Sequence, residues 1–401
     1  MNRYFSYLNS AVKIINHYKG DEPFSSFLKK YFSLNKKYGS KDRKQIGHLC
    51  YCYFRLGKAG TGLSMEERIL TALFLCSDVA NEFLQQLKPG WNEQINVSIE
   101  EKIALLNSRD PVEGVSITDV FPWREELSTG IVYEEFCASF FKQPDLFLRL
   151  RPGKEKKVME KLERAGISFK QVSDTSLVLS NSSKLDEVIE LNKDAVVQDY
   201  SSQRVGEFLE MGQTGTVRPG SLEVWDCCAA SGGKSIMAKD ILGNVDLTVS
   251  DIRDSILHNL KKRFIEAGVH QYKSFKADLA NKDTNALPLG SGEGFDLIIC
   301  DAPCTGSGTW SRTPEQLYFF EKEKISYYSG LQKRIVSNAI KQLTPDGYFL
   351  YITCSVFKKE NEEVVEFIKD NFSLELVESK ILDGYNIKAD TMFAALLKMP
   401  S

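Results

Sequence analysis

The sequence predicts an α/β protein whose C-terminal half is a mainly parallel sheet covered on both faces by helices. From Leu222 onward, short apolar strand cores alternate with amphipathic helical stretches, the pattern left by strands joined through helical crossovers. The 401 residues are too many for one domain of ordinary size, ~150 residues each. With 42% hydrophobic and 26% charged residues, a mainly disordered chain is excluded.

The elements follow in order. Tyr4, Leu8, Val12 and Ile15 lie on one face of a helix that Gly20 can end. Ile46, Leu49, Cys50 and Tyr53 repeat the pattern between Asp42 and Gly57, and Met65 to Cys76 is a third such stretch. Strand alternation of that quality is lacking up to about Arg124, so a small all-helical domain is placed at 1–140. A second domain is placed at 141–200. There Phe147–Leu150, Ile167–Val172, Leu177–Leu179 and Ala195–Val197 read as strands, with helices over Glu155–Ala165 and Leu185–Leu191. The order β-α-β-β-α-β is that of a ferredoxin-like unit, which RNA-recognition modules share. The third domain, 201–401, has strand cores at Leu222–Trp225, Leu247–Val249, Phe295–Cys300 and Tyr348–Ile352. Its helices fall at Gly233–Leu242, Arg253–Ala267 and Ile325–Leu343.

The apolar run Ile69–Cys76, broken by Thr71, is far short of the ~18 residues of a membrane helix. The first fourteen residues contain no uninterrupted apolar core of the export-signal kind. Nine cysteines, an odd number in a large chain, then read as free thiols in a reducing compartment. A cytoplasmic protein with no membrane partner is expected. The formal charge of −3 gives no overall cationic character.

In such a fold ligands bind beyond the carboxyl ends of the strands. The first strand runs into Asp226-Cys227-Cys228-Ala229-Ala230-Ser231-Gly232-Gly233-Lys234, whose small residues let backbone approach a ligand ahead of a helix start. It is not a phosphate-binding P-loop, because the GxxxxGK[ST] spacing fails. Acids end the next strands too, at Asp251, Asp278 and Asp301. Singly, each suits a helix cap or turn. Four beside one glycine loop suit a nucleoside cofactor, Asp251 being placed to bond a ribose. The absence of GxGxxG turns the reading from a nicotinamide cofactor to S-adenosylmethionine.

Two cysteines fall on the same edge. Cys304 lies in Asp301-Ala302-Pro303-Cys304-Thr305-Gly306-Ser307-Gly308, and Cys354 follows the strand Tyr348–Ile352. A lone cysteine is usually an inert small hydrophobe, but small or hydroxyl residues follow both, and a thiolate there is a nucleophile. Cys228 is assigned to the glycine loop, and Cys50, Cys52, Cys76, Cys137, Cys227 and Cys300 to packing. No metal is expected, since CxxC pairs are absent and His17, His48, His258 and His270 show no ligand spacing.

Residues 226–234 resemble the DxCAAPGGK loop of the RNA cytosine-C5 methyltransferases, the RsmB/Nop2/NSUN family. Residues 301–308 resemble its DxPCSGxG and Tyr351–Ser355 its YxTCS. Gln198–Gln203, Arg312–Glu315, Leu331-Gln332, Glu360–Glu362 and Asp390 with Phe393 fall where QDxxSQ, RxPE, LQ, ENE and DGFF are expected. Departures are Ser231 for proline, Thr305 for serine, Asp346 for glycine and Thr391-Met392 for Gly-Phe. Asp42-Arg43 with Leu49–Arg55 is similar to the NusB-like helical domain of the bacterial RsmB branch, without its Tyr-Gly pair before the arginine.

The resemblance implies a Rossmann-like class I S-adenosylmethionine-dependent methyltransferase sheet, preceded by the ferredoxin-like subdomain and the NusB-like RNA-binding domain. It implies RNA rather than DNA as substrate, 16S ribosomal RNA within the RsmB branch, and a monomer is expected. It assigns the nucleophilic thiolate, which adds to cytosine C6, to Cys354 and product release to Cys304. Asp301 would bond the cofactor or the cytosine N3/N4 edge. The backbone of Cys228, Ala229, Ala230, Ser231, Gly232, Gly233 and Lys234 would hold the methionine end of the cofactor, Asp251 its ribose and Asp278 its adenine. DNA cytosine methylases use the Pro-Cys cysteine as nucleophile, so the opposite assignment stays open. Arg312 is a candidate phosphate contact. Lys29, Lys30, Lys36, Lys37, Lys41, Arg43 and Lys44, opposed by Asp42 alone and interleaved with Tyr31, Phe32 and Tyr38, form a candidate RNA patch. Arg149, Arg151, Lys154, Lys156 and Lys157 form a second. The rival readings are an amino-methyltransferase, against which Asp-Ala-Pro-Cys stands in place of [DNS]PP[YFW], and a catalytically inactive ribosome-assembly factor. Action on tRNA or another RNA is a further alternative.

Overall fold

The structure is a computed structural model describing residues 3–108, 114–214, 221–281 and 294–401. It divides into two compact units. The first comprises Met1–Glu125, Val132–Gln143 and Thr309–Glu321, and the second Glu126–Ile131, Pro144–Gly308 and Lys322–Ser401.

The first unit is helical, with its main helices at Arg3–His17, Phe24–Leu34, Ser40–Arg55 and Met65–Cys76. The first helix buries Tyr7, Leu8, Ala11, Ile14 and Ile15, a face centred slightly beside the expected one because Tyr4 and Val12 are only half-buried. The third buries Ile46, Leu49, Cys50 and Tyr53 as the spacing predicts. Ser64 caps the fourth, its hydroxyl accepting from the Glu67 N–H at 3.2 Å. The unit is not contiguous in sequence. Residues 309–321 join it because Tyr318 and Phe319 enter its aromatic cluster, packing on Phe54 at centroid distances of 5.5 and 6.2 Å. The buried Glu315 carboxylate also accepts from the Phe24 N–H at 3.2 Å.

The second unit contains two sheets. The smaller has strands β1 (Leu146–Leu150), β2 (Phe169–Ser173), β3 (Ser176–Leu179) and β4 (Ala195–Val197). They pair antiparallel in the order β2-β3-β1-β4. The helix Glu155–Arg164 buries Val158 and Leu162 in the apolar cluster of this sheet. The helix expected over Leu185–Leu191 is instead a short turn, closed by bonds from the Val188 and Ile189 N–H groups to the Leu185 carbonyl. That one turn already buries Leu185 and Ile189. Asn192, in the left-handed region at φ 65°, then directs the chain into β4.

The larger sheet has strands β5 (Leu222–Asp226), β6 (Val245–Asp251), β7 (Lys273–Lys276), β8 (Phe295–Asp301), β9 (Leu343–Thr353), β10 (Glu375–Leu382) and β11 (Met392–Lys398). Their order is β10-β11-β9-β8-β5-β6-β7. The run β9-β8-β5-β6-β7 is parallel, and β11 lies antiparallel between β9 and β10. This is a Rossmann-like sheet. Strands β5, β6, β8 and β9 are buried on both faces: Val224, Leu247, Val249, Ile299 and Leu350 point into one apolar layer, and Trp225, Ile298, Phe349 and Tyr351 into the other. Three helices cross over where expected, Gly233–Leu242, Asp254–Glu266 and Glu323–Ala339. Two strand limits differ from expectation: β7 stops at Lys276, two residues before Asp278, and β9 starts at Leu343. From β5 the chain moves outward through β6 and β7, then returns to lay β8 on the other side of β5. That reversal opens a crevice at the carboxyl ends of β5 and β8. Among the described residues, no helix is long and apolar enough to cross a membrane.

Candidate active site

The crevice holds a cavity of about 460 Å³, walled by Cys228, Ala230, Asp251, Asp278, Asp301, Cys304 and Cys354 among others. All seven were singled out in the sequence. The structure brings them together because each ends or follows a strand in one parallel run.

The loop after β5 is shaped by backbone demands. Ala230 and Gly232 have φ of 45° and 81°. A Cβ on Gly232 would lie 2.4 Å from the Phe264 ring, so glycine is required there on both counts. The Ala229 N–H donates to Ser250 O at 2.9 Å and the Gly232 N–H to Ala229 O at 2.7 Å. Ala229, Gly232, Gly233 and Lys234 thus form the frame of the loop rather than the cavity wall. Ser231 is exposed, and its hydroxyl accepts from Arg263 at 2.9 Å.

Asp251, at the end of β6, accepts from the Ala230 N–H at 3.1 Å and the Arg253 N–H at 3.0 Å, which fixes its carboxylate on the cavity wall. Asp278 is exposed and accepts from the Ala280 N–H at 3.0 Å. Lys234 Nζ lies 3.1 Å from Asp301 Oδ2 and 2.7 Å from the Ser202 hydroxyl. Asp301 is therefore paired and aimed at the cavity. Asp226 is wholly buried beneath the loop, one oxygen accepting from the Ser235 hydroxyl at 2.6 Å. Burial, reinforced by nearby Asp301 and Cys228, pushes its carboxyl up to about 7.

The two cysteines of the reading meet. Cys304 Sγ and Cys354 Sγ are 3.3 Å apart although 50 residues separate them. Cys354 beside it, together with burial, pushes the Cys304 thiol well above its ordinary range. In that contact either sulfur can be the donor.

Glu360 has a place that its residue type alone did not reveal. Buried completely, it accepts from the Thr305 N–H at 2.9 Å, the Thr305 hydroxyl at 2.6 Å, the Ser355 hydroxyl, and Gln332 at 3.3 Å. One carboxylate thus ties the residue after Cys304 to the residue after Cys354. Burial still pushes its carboxyl upward against these bonds. Asn361 continues the tie, accepting from Thr353 at 2.5 Å and donating to Ser355 O at 2.9 Å. Gly308 completes it. Its N–H donates to Cys354 O at 2.9 Å, and a Cβ there would lie 1.8 Å from Thr391 O. The sequence signal for all three was present as motif positions without chemistry. On the apolar side of the cavity Leu331 was likewise a motif position, whereas Ile252, Leu279 and Ile335 had no comparable signal.

A third feature joins residues that spacing kept apart. The sulfurs of Cys227, Cys228 and Cys300 all lie within 4.8 Å of one another. Cys227 and Cys300 are buried, as their assignment to packing requires.

The candidate RNA patches fare differently. Lys29, Lys30, Lys36, Lys37, Lys41 and Lys44 are exposed on the first unit. Their aromatic neighbours are partly internal, with Phe32 buried and Tyr38 packed on it at 5.6 Å. The patch at 149–157 is corrected. Arg149 and Arg151 both bind Asp240, each at 2.6 Å, and Lys157 binds Asp194 at 2.9 Å. Arg149 and Arg151 thus neutralise a buried carboxylate instead of forming an open surface, while Lys156 and Lys157 stay exposed. Arg312 belongs to the first unit, where its N–H donates to Thr309 O at 2.9 Å.

Residues 217–399 match the family model of the 16S rRNA methyltransferase RsmB/F. A ribosomal RNA small subunit methyltransferase B of Xanthomonas campestris is 29% identical over 48% of this chain and 43% of its own length. One from Shewanella oneidensis is 31% identical over 35% of this chain and 32% of its own. The chain thus spans less than half the length of these curated relatives. Among solved structures, a methyltransferase homologue from Pyrococcus horikoshii covers 68% of this chain and 92% of its own at TM-score 0.56 and 21% identity. NSun6 from the same organism, solved with SFG, covers 67% and 94% at TM-score 0.57 and 15% identity. These likenesses are of fold. The match of the family model falls on β5 to β11, the strands that carry the cavity and both cysteines.

Proposed function

We propose that this protein transfers a methyl group from S-adenosylmethionine to C5 of a cytosine in RNA, with 16S ribosomal RNA as the substrate. The observation that carries the reading is the Cys304–Cys354 pair, 3.3 Å apart at one cavity with Asp301. The residues present suit the cofactor: Asp251 offers a fixed carboxylate to a ribose, Cys228 and Ala230 bring the loop to the cavity wall, and Ile252 and Leu279 supply an apolar wall for adenine. When bound, the cofactor supplies an electrophilic methyl group.

Cytosine C5 is too weak a nucleophile to take a methyl group directly. Cys354 adds as a thiolate to C6 and makes the ring enamine-like at C5. Asp301, held by Lys234, bonds the N3/N4 edge and offsets the charge that develops there. After methylation C5 loses its proton and Cys354 is expelled from C6, a step assisted by Cys304. The target base leaves its stack to reach the cavity.

The first unit is read as NusB-like, with its exposed lysines and Arg312 contacting RNA backbone. The small sheet is read as ferredoxin-like, which its strand order β2-β3-β1-β4 supports. A cytoplasmic monomer completes the reading. Trapping with 5-fluorocytidine RNA tests the chemistry, because fluorine at C5 blocks the proton loss needed for release. Cys354→Ala is expected to give no covalent adduct and Cys304→Ala to retain one. The reverse pattern would overturn the assignment, and incorporation of labelled methyl into RNA tests the activity itself.

A further inference from the structure

The three-sulfur cluster lies at the carboxyl ends of β5 and β8. The Cys227 N–H donates to Ile299 O at 2.9 Å, and the register pairs Asp226 with Ile299. Cys227 is therefore locked beside Cys300 across the β5–β8 ladder, and Cys228 follows at the start of the loop. The RsmB/F-type loop pattern DxCAAPGGK accounts for Cys228 alone. Packing accounts for small apolar side chains at 227 and 300, but not for thiols at both.

We propose that Cys227, Cys228 and Cys300 form a binding site for a thiophilic closed-shell metal cation of the zinc, cadmium or copper(I) kind. Cysteine sulfur is the preferred donor for such ions. A metal–sulfur bond of about 2.3 Å places three ligating sulfurs roughly 4 Å apart. The three sulfurs already lie within 4.8 Å, so side-chain rotation closes the site without moving a strand. Cys227 and Cys228 line the cavity, which gives the ion an access route. Each thiol that binds forms one sulfur–metal bond and releases its proton to solvent, with no change of oxidation state. The site does not depend on the methyl-transfer reading.

The test uses the reduced full-length chain carrying Cys304→Ser and Cys354→Ser, which removes the other thiol pair at the cavity. Titration with cadmium chloride alone should develop thiolate-to-cadmium charge-transfer absorption that saturates at one equivalent. Protons should be released on binding in weak buffer, one for each ligating cysteine that is a thiol beforehand. Adding Cys227→Ala or Cys300→Ala should weaken binding at least tenfold. No saturable absorption, or absorption and affinity unchanged in both variants, would overturn the site. Should either variant fail to fold, X-ray absorption of the cadmium-bound parent decides: three sulfur neighbours support the site, and one or none overturns it.

Discussion

Glu360 accepts two hydrogen bonds from Thr305, one from its N–H at 2.9 Å and one from its hydroxyl at 2.6 Å. Through the same carboxylate it also holds Ser355, so the two cysteine loops share one anchor. Glu360→Gln replaces two acceptor oxygens by one and adds a donor where only donors point. The expected result is a roughly 10- to 100-fold fall in kcat for methyl transfer with little change in KM for the cofactor. Equal losses in kcat and cofactor binding would instead indicate general collapse of the pocket.

Asp226 titrates against folding. Burial raises its carboxyl from 3.8 to about 7. The native state therefore favours the protonated form, and its stabilising effect is present below pH 4 and lost as the pH rises through 7. At about 1.4 kcal/mol per pH unit the shift is worth roughly 4 kcal/mol. Asp226→Asn removes this dependence. Denaturant melts at several pH values should show wild type losing stability relative to the variant between pH 4 and 8; parallel profiles would refute the assignment.

Asp240 balances two guanidinium groups, with Arg149 and Arg151 each 2.6 Å away and Arg149 almost fully buried. Asp240→Ala leaves those cations without a counter-charge between the small sheet and the helix Gly233–Leu242. A loss of about 3–5 kcal/mol in urea unfolding is expected. Arg151→Ala, which leaves Asp240 one partner, should cost less.

The exposed lysines of the first unit give a salt-dependence test. Replacing Lys36, Lys37 and Lys41 by alanine should make the slope of log affinity for single-stranded RNA against log salt shallower by about 2. An unchanged slope would remove the patch from the interface.

The sheet and the cavity were legible because their signals are local. A strand core followed by an acid, repeated along the chain, specifies a parallel sheet and the edge where its ligand sits. Asp251, Asp301, Cys304 and Cys354 could be named from that alone. The arginines of the 149–157 segment misled because charge in sequence says nothing about Asp240, some ninety residues away and buried beneath them. Leu185–Leu191 misled because a helical spacing of apolar residues is met equally by one turn. The Glu360 clamp was out of reach for a third reason: a buried acid is defined by its partners, here Thr305, Ser355 and Gln332, which only the fold assembles. The sulfur cluster was missed on the same ground, since Cys300 joins Cys227 through strand pairing rather than spacing.

The discontinuous first unit has a consequence for synthesis. Its N-terminal helices leave the ribosome early, yet Leu317, Tyr318 and Phe319 belong to the same packed body. At ~5–20 residues per second, roughly 10–30 s pass between translation of residue 143 and of residue 309. During that interval Phe54 and Tyr18 lack their Phe319 partner. The first unit is thus finished after most of the parallel strands have been made, and early termination would leave an aromatic surface for chaperones to bind.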